Sequence, residues 1–360
     1  MTDEIYMREA LKIAANAKGR TSPNPMVGAV IVRDNRIIAE GWHRRAGTPH
    51  AEIHALKMAG DLAYGSTLYV TLEPCSHFGR TPPCANAIVE SGIKRVVAAM
   101  SDPNPKVAGQ GFEILKNAGI EVEVGVLESE ARKLNENFLK WITTGRPFVT
   151  LKTAMSLDGK IATSIGQSKW ITCDESRKKV HELRDVHDAI LVGIGTVLAD
   201  NPSLTTRLET GGKNPVRVIV DSNARTPLIS KVVTDNQALT IIAVTKNAPA
   251  EKVDALKKLG VEIIVAGDGT KVDLSTLMNE LAKREIISIF VEGGGTLNFS
   301  MLRESLVDKV YAFIAPKLIG GQEALTAVEG EGFQQLNEAV TLKNIHTEMI
   351  GSDILIFGYI

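Results

Sequence analysis

Hydrophobic residues along the chain alternate between helical spacing and strand spacing. Residues 3–19 carry apolar side chains three or four positions apart, which predicts a helix that ends at Gly19. Short runs rich in β-branched residues predict strands at 26–32, 36–43, 66–72, 95–100 and 121–126. Helical spacing returns between them at 50–60, 84–92 and 111–119, and at 129–145 as one longer amphipathic helix. This order predicts an α/β layer fold in which helices cover a sheet.

The alternation restarts after residues 144–147, where glycine and proline interrupt it. We therefore expect two domains, 1–146 and 147–360, which suits a chain of 360 residues. The second half contains more strand-like runs than the first, and they predict a large mixed sheet with flanking helices. These runs lie at 148–156, 189–195, 216–222, 239–244, 261–266, 288–295 and 309–316, with a terminal pair at 341–350 and 353–360.

Composition narrows the possible functions. Apolar residues make up 44% of the chain, charged residues 23%, and the net charge is −1. This balance is typical of a globular domain and argues against a protein that coats nucleic acid or a membrane surface. The amino-terminal helix lacks the basic start of a signal peptide, and no apolar run reaches the roughly 18 residues that span a bilayer. We therefore expect a cytoplasmic protein whose thiols are reduced.

Two of the three cysteines lie in the segment LEPCSHFGRTPPC, residues 72–84. Cys75 follows a predicted strand, Cys84 begins a predicted helix, and His50 and Glu52 stand where an earlier helix begins. Because side chains converge at such junctions, we expect His50, Cys75 and Cys84 to hold a metal ion. Thiolate and imidazole select zinc, and three protein ligands leave the open position of a catalytic site. The acid two residues after the histidine, Glu52, is then a proton shuttle, in the pattern of zinc base deaminases.

Two other interpretations of this segment stay open. His77, between the cysteines, can complete a structural Cys2His2 site, and Glu52 would then be an ordinary acid at a helix start. A disulfide between Cys75 and Cys84 is the third possibility, and a reducing compartment disfavours it.

Polar residues on the neighbouring loops are candidates for substrate contacts. Arg80 suits a phosphate because a guanidinium binds two oxygens at once. Asp102 and Asn104 fit equally well as turn residues that bond their own backbone. The expected substrate contacts of this domain are Asn24, His43, His77, Arg80, Asp102 and Asn104.

In the second half, a glycine run at 293–295 follows a predicted strand and precedes a predicted helix. Backbone N–H groups at a glycine-rich helix start suit the phosphates of a nucleotide cofactor. We expect a second cofactor-binding segment around Thr196 and Asp200. Lys152 and Asp200 are candidates for polarising a carbonyl carbon and relaying a proton, although Lys152 can equally form a buried pair with an acid. Asp221 follows a strand, which is where NAD-binding proteins carry the acid that binds the ribose hydroxyl, so this residue favours NAD. The nearby Ser222 and Arg225 suit a 2′-phosphate and favour NADP instead.

Several quoted segments together resemble one family over nearly the whole chain. They are SPNPMVGAV, HAEIHAL, LEPCSHFGRTPPC and MSDPNPKVAGQG in the first half, and LKTAMSLDGKIAT, SKWIT, ILVGIGTVLADNPSLTTR and FVEGGGTLNFSML in the second. This combination resembles the bifunctional riboflavin-biosynthesis enzymes, in which a diaminohydroxyphosphoribosylaminopyrimidine deaminase is fused to a reductase. The resemblance implies a cytidine-deaminase-like three-layer N-terminal domain and a dihydrofolate-reductase-like C-terminal domain.

The resemblance also implies chemistry. The first domain would remove the 2-amino group of 2,5-diamino-6-ribosylamino-4(3H)-pyrimidinone 5′-phosphate with one zinc ion per chain. The second would use NADPH to reduce the ribosyl chain to ribityl. The residues implied to contact NADPH are Ala154, Trp170, Thr196, Asp200, Ser222, Gly294, Gly295 and Thr296. Those implied to contact the substrate are Ser168, Arg184, Leu204, Arg207 and Glu292. Without the resemblance, Arg184 fits a solvated helix face.

The expected partners are a small pyrimidine ribotide and a further copy of the chain, with no nucleic acid and no membrane. Two alternatives are a deaminase of free or RNA-borne nucleobases with a redundant second half, and a non-enzymatic zinc-stabilised binding module. The near-neutral charge argues against an RNA substrate. The binding module predicts that Glu52→Gln changes no activity, whereas an enzyme loses ammonia release.

Overall fold

The computed structural model describes residues 2–76, 83–104 and 108–360. Two predicted substrate contacts, His77 and Arg80, lie outside these residues. The chain divides into two compact units, Met1–Arg146 and Pro147–Ile360. Among the described residues, no helix combines the length and the apolar character needed to cross a membrane.

The first unit is built on one sheet. Its helices are α1 (Asp3–Ala14), α2 (Ala51–Ala59), α3 (Cys84–Glu90), α4 (Gln110–Asn117), α5 (Glu128–Leu134) and α6 (Glu136–Thr144). Its strands are β1 (Gly28–Arg33), β2 (Arg36–Trp42), β3 (Thr67–Val70), β4 (Arg95–Ala98) and β5 (Glu121–Val124). The sheet order in the described chain is β2-β1-β3-β4-β5. β1 runs antiparallel to β2 and β3, whereas β3, β4 and β5 are parallel.

Two glycines show that this unit has three layers. A Cβ on Gly28 would lie 2.1 Å from the Ala10 carbonyl oxygen of α1, and one on Gly41 would lie 2.4 Å from the Ala51 carbonyl oxygen of α2. Gly41 pairs with Ala29 across the ladder, so its side faces opposite to that of Gly28. The two helices therefore cover opposite faces of the sheet. Both backbone approaches require glycine.

One sequence prediction is wrong in detail, because the helix expected at 129–145 is divided into α5 and α6 at Asn135. The Asn135 side chain is 3% exposed. Its Oδ1 accepts from the Met26 N–H at 2.8 Å, and its Nδ2 donates to the Met26 carbonyl at 2.9 Å. These bonds tie the turn between the helices to the segment before β1, and helical spacing gives no hint of them.

The second unit contains one larger sheet. Its helices are α7 (Asp174–Val186), α8 (Ile194–Asp200), α9 (Lys231–Thr234), α10 (Ala250–Lys258), α11 (Leu274–Lys283) and α12 (Gly295–Arg303). Its strands are β6 (Phe148–Ser156), β7 (Ala189–Gly193), β8 (Val216–Val220), β9 (Thr240–Val244), β10 (Glu262–Val265), β11 (Ser288–Gly293), β12 (Lys309–Ala315), β13 (Lys343–Ile350) and β14 (Asp353–Tyr359). Short 3-10 segments occur at Ala15–Ala17, Gly60–Ala63 and Leu336–Glu338.

The order of this second sheet, over the described residues, is β10-β9-β8-β7-β11-β6-β12-β14-β13. Neighbouring strands from β10 to β12 are parallel, and the terminal hairpin β13–β14 adds an antiparallel edge. The predicted mixed sheet is therefore confirmed. β11 lies between β7 and β6, with Val291 opposite Leu151 in the ladder, so Glu292 and Lys152 follow paired residues on adjacent strands.

Candidate functional sites

The structure brings His50, Cys75 and Cys84 into one cluster. His50 immediately precedes α2, Cys75 lies in the segment after β3, and Cys84 is the first residue of α3. Their ligand atoms all lie within 4.8 Å of one another. His50 Nδ1 is 3.3 Å from Cys84 Sγ and 3.5 Å from Cys75 Sγ. Both thiols are free, so the disulfide interpretation is wrong.

The surroundings of this cluster favour a thiolate. The Cys84 backbone N–H donates to Cys75 Sγ at 3.3 Å, at the start of α3. Contacts with Cys84 and His50 lower the pKa of the Cys75 thiol. One thiolate-forming sulfur, a second buried thiol and an imidazole make a donor set that suits zinc and leaves a fourth position for another ligand.

Glu52 lies beside this cluster but outside the metal-ligand group. It is 3% exposed, and its Oε2 has no hydrogen-bond partner among the described residues. Burial raises the pKa of Glu52 to about 7. A carboxyl group with a free oxygen and a near-neutral pKa is suited to accept and return a proton.

Two predicted substrate contacts, Asn24 and His43, lie next to the metal cluster. Asn24 Nδ2 is 3.1 Å from His43 Nε2, and His43 Nδ1 is 3.3 Å from the Pro49 carbonyl oxygen. The His43 ring stands edge-on to the His50 ring, with centroids 5.2 Å apart. Burial lowers the pKa of His43, which favours a neutral ring. Sequence reasoning placed both residues on loops, and the structure places them together.

Asp102 and Asn104 form the turn that the sequence left as an alternative. The Asn104 N–H donates to Asp102 Oδ1 at 2.9 Å. The turn is held by Glu73, a residue that sequence reasoning did not select. Glu73 precedes Pro74 and Cys75 in the LEPC segment, and its closeness in sequence to the metal ligand Cys75 could have pointed to it.

In the second unit, Glu292 of β11 joins Lys152 of β6 and Arg184 of α7. Arg184 donates from Nε to Glu292 Oε1 at 2.5 Å and from Nη2 to Oε2 at 2.9 Å. Lys152 Nζ is 3.6 Å from Glu292 Oε2. Arg184 is 11% exposed, so the solvated-face interpretation is wrong. Although burial opposes ionisation, Arg184 and Lys152 lower the pKa of Glu292 to about 2.

Further basic residues extend this group. Burial and the charges of Arg184 and Arg207 lower the pKa of His181 to about 4, and His181 Nδ1 is buried without a partner among the described residues. Arg184 Nη1 donates to the Thr205 carbonyl at 2.9 Å, next to the buried Leu204. Sequence reasoning missed His181, although it stands one turn before Arg184 on α7 and therefore on the same face.

The glycine run opens α12 as predicted. A Cβ on Gly295 would lie 2.7 Å from the Thr326 carbonyl oxygen, whereas one on Gly294 would meet only Thr196 Oγ1, at 3.7 Å. Gly294 therefore faces open space beside Thr196 of α8, and the backbone there is accessible to a phosphate group. Thr296 is exposed on the first turn of α12, and Asp200 is exposed at the end of α8.

The remaining predicted contacts of this unit have mixed surroundings. Trp170 is 61% exposed, with the Arg177 guanidinium 4.6 Å from its ring centroid. Ser168 and Ala154 are half-buried, and Ser222 Oγ accepts from the Val272 N–H at 3.1 Å.

Asp221 requires a correction. The residue is fully buried, and its Oδ2 accepts from the Thr226 N–H at 2.7 Å and from the Thr226 hydroxyl at 2.8 Å. Its carboxylate therefore holds the loop after β8 and is not available to a ribose. The sequence interpretation of Asp221 as a ribose-reading acid is wrong.

Comparison with known proteins assigns a family model to each unit. The model of the cytidine and deoxycytidylate deaminase zinc-binding region matches residues 1–100, and that of the RibD C-terminal domain matches residues 147–356. Riboflavin biosynthesis protein RibD of Aquifex aeolicus is 48% identical over 355 residues, covering 99% of this chain and 98% of that protein.

Two solved structures match over the same length. Acinetobacter baumannii RibD, form 1, has a TM-score of 0.90 and 40% identity, with 99% of this chain and 98% of that chain covered. A diaminohydroxyphosphoribosylaminopyrimidine deaminase/5-amino-6-(5-phosphoribosylamino)uracil reductase from Thermotoga maritima has a TM-score of 0.87, 41% identity and coverage of 99% and 98%.

Fold and sites thus define a two-domain enzyme with a zinc-binding deaminase region and a reductase domain. The chain belongs to the RibD family of riboflavin biosynthesis proteins, and it is a deaminase and reductase of that biosynthesis. The predicted family, its two-domain α/β fold and its bifunctional activity are confirmed.

Proposed function

We propose that residues 1–146 deaminate 2,5-diamino-6-ribosylamino-4(3H)-pyrimidinone 5′-phosphate and that residues 147–360 reduce the ribosyl chain of the product with NADPH. The product would be 5-amino-6-(5-phosphoribitylamino)uracil. The convergence of His50, Cys75 and Cys84 beside the buried, unbonded Oε2 of Glu52 carries the deaminase proposal. The names of relatives with full-length similarity support the substrate.

In the deaminase site, His50, Cys75 and Cys84 would hold one zinc ion. When bound there, zinc supplies Lewis acidity and lowers the pKa of water to about 7. Glu52 accepts a proton at Oε2 from water and returns it to the departing amino group, so that ammonia leaves as the ring gains oxygen. Asn24 and His43 line the same side and would orient the ring.

In the reductase site, we assign Arg184 and Arg207 to the phosphate of the substrate, and Ser168, Leu204 and Glu292 to the remaining contacts with the same sugar phosphate. We assign Lys152 to the ribose C1, and its ion pair with Glu292 in a buried site supports this assignment. Burial lowers the pKa of Lys152, which eases proton release. Asp200 stays a second candidate for that proton transfer. The full set of proposed NADPH contacts is Ala154, Trp170, Thr196, Asp200, Ser222, Gly294, Gly295 and Thr296.

The deaminase proposal is tested by zinc content and ammonia release for wild type and Glu52→Gln. We expect about one zinc per chain in both, and a fall of about 10²–10⁴-fold in ammonia release for the variant. Reduction of supplied deaminated substrate should be unchanged in the variant. Equal ammonia release from both proteins would refute the proton-transfer role of Glu52. If wild type binds zinc but releases no ammonia, the proposed substrate is refuted.

The cofactor proposal is tested by Gly294→Ala. The backbone angles of Gly294, φ −62° and ψ −176°, are open to alanine, and the new Cβ has room. We therefore expect unchanged thermal stability with NADPH affinity lowered about tenfold, because the methyl group obstructs close approach of a phosphate. An unchanged NADPH dissociation constant would remove this backbone from the cofactor site. A cytoplasmic location and a homo-oligomer stay predictions.

A further inference from the structure

Glu73 makes three backbone hydrogen bonds to one distant segment. The side chain lies between β3 and Cys75 and is 4% exposed. Its Oε2 accepts from the Asp102 N–H and from the Gly109 N–H, each at 3.1 Å. Its Oε1 accepts from the Gly111 N–H at 3.0 Å. Both oxygens are therefore committed to the segment that follows β4 and opens α4. Bonds from N–H groups to a carboxylate are stronger than neutral ones.

The backbone geometry confirms how close the two segments lie. A Cβ on Gly111 would lie 2.0 Å from the Pro74 carbonyl oxygen and 3.2 Å from Glu73 Oε1. In addition, the Glu73 N–H donates to the Met100 carbonyl at 3.0 Å. The segment that carries Cys75 and the segment that carries Asp102 are thus joined at several points.

The bond to the Asp102 N–H has a further consequence. Asp102 in turn accepts the Asn104 N–H, so Glu73 fixes the first residue of that turn and, through it, the second. Asp102 and Asn104 are the proposed substrate contacts of this loop. The Glu73 carboxylate is therefore one of the contacts that set the distance between these residues and the Cys75 ligand.

We propose that Glu73 is a positioning residue of the deaminase site, which holds Asp102 and Asn104 at a fixed place relative to Cys75 for binding the pyrimidine ribotide. The inference rests on the proposed deaminase function. Glu73 does not touch the reacting atoms, so its loss acts on substrate binding more than on the chemical step. Misplacement of a positioned group by about 1 Å can cost about 10²-fold in rate.

The experiment compares Glu73→Gln, Asp102→Ala and the double variant in the full-length, zinc-loaded enzyme. A glutamine side chain offers one acceptor oxygen in place of two, so at least one of the three N–H bonds is lost. We expect retained zinc, a KM for deamination raised about tenfold, and a smaller change in kcat. If Glu73 acts through Asp102 and Asn104, the effects of the two substitutions on KM are less than additive in the double variant.

Matched controls separate the outcomes. Glu113→Gln replaces an exposed glutamate of α4 and should leave KM unchanged. Glu73→Asp keeps both acceptor oxygens, and its KM should lie between those of wild type and Glu73→Gln. Additive effects in the double variant overturn the proposal, as does zinc loss from both Glu73→Gln and Glu73→Asp, which would show a role in folding alone. Failure of the proposed function is distinct, because wild type would then release no ammonia.

Discussion

Each unit of this enzyme buries a glutamate, and the two side chains have opposite electrostatic surroundings. Glu52 is 3% exposed with an unbonded Oε2, and burial raises its pKa to about 7. Glu292 is 9% exposed, and Arg184 and Lys152 outweigh burial to lower its pKa to about 2. A glutamate with a pKa near neutrality, Glu52, can therefore exchange a proton, whereas Glu292 is held as an anion.

The difference follows from the partners that each fold supplies. The acid at the start of α2 faces thiols and an imidazole, which are ligands for a cation that the protein itself does not provide. The acid at the end of β11 faces a guanidinium and an ammonium group from α7 and β6. Burial alone favours a neutral carboxyl, and a nearby fixed cation or hydrogen bonds donated to the carboxylate reverse this preference. The chemical identity of the partners, more than the depth of burial, decides the direction in which the pKa of each glutamate shifts.

Glu292→Gln should have the largest effect. It leaves Arg184 and Lys152 buried without a counter-charge, and loss of one member of a buried ion pair costs about 3–5 kcal/mol. We expect that loss in the unfolding free energy of the second unit, measured by denaturant titration, together with loss of reductase activity. The control is Glu280→Gln on α11, whose pair with Lys283 is exposed. A change below about 1 kcal/mol in Glu292→Gln would contradict the anchor role.

Lys152→Met decides between catalysis and structure at this anion. Methionine is unbranched like lysine, although one atom shorter, and it removes a costly buried charge while Glu292 keeps both bonds to Arg184. We expect reductase kcat to fall about 10²-fold, equivalent to about 2.7 kcal/mol, with a smaller change in stability. Lys178→Met, at an exposed position of α7, is the control. A large stability loss with kcat retained would instead establish a structural pair.

The sequence allows much of this arrangement to be predicted, for local reasons. Periodicity places the strands and most helices, and residue types at strand-to-helix junctions place His50, Cys75 and Cys84. What it misses depends on distant partners. Helical spacing continues through Asn135, yet that side chain bonds Met26. Asp221 has the local pattern of an acid that binds a ribose, yet its carboxylate accepts two hydrogen bonds from Thr226.

Glu73 and His181 were missed for the same reason. Glu73 draws its three donors from residues 102–111, and the environment of His181 comes from Arg207 and Glu292 as well as from its own helix. Neither set of partners is marked by spacing along the chain. The order of the larger sheet was unreadable because its buried runs have similar composition, and any of them fits a central position.

His181 gives a pH-dependent prediction. Its pKa of about 4 in the folded state lies below the ordinary 6.5, because burial, Arg184 and Arg207 oppose protonation while Glu292 favours it. As pH falls, the unfolded chain binds this proton first, so stability is lost between pH 6.5 and about 4. We expect wild type to lose about 1–2 kcal/mol more than His181→Gln over that range, after allowance for solvent screening. Thermal unfolding at stepped pH measures this, and His346→Gln at an exposed site is the control. Parallel profiles for wild type and His181→Gln would contradict it.

Glu52→Gln should have the smallest effect on stability, although it abolishes most deamination. Glutamine has the same shape, and Oε2 forfeits no hydrogen bond because it makes none within the described chain. We expect the unfolding free energy of the zinc-loaded protein to change by less than about 1 kcal/mol. The same substitution at Glu292 costs several times more, so the pair of variants measures the contrast directly. A loss of about 3 kcal/mol in Glu52→Gln would mean that Glu52 too is an anchor, because only a carboxylate bound to fixed partners stabilises the fold by that much.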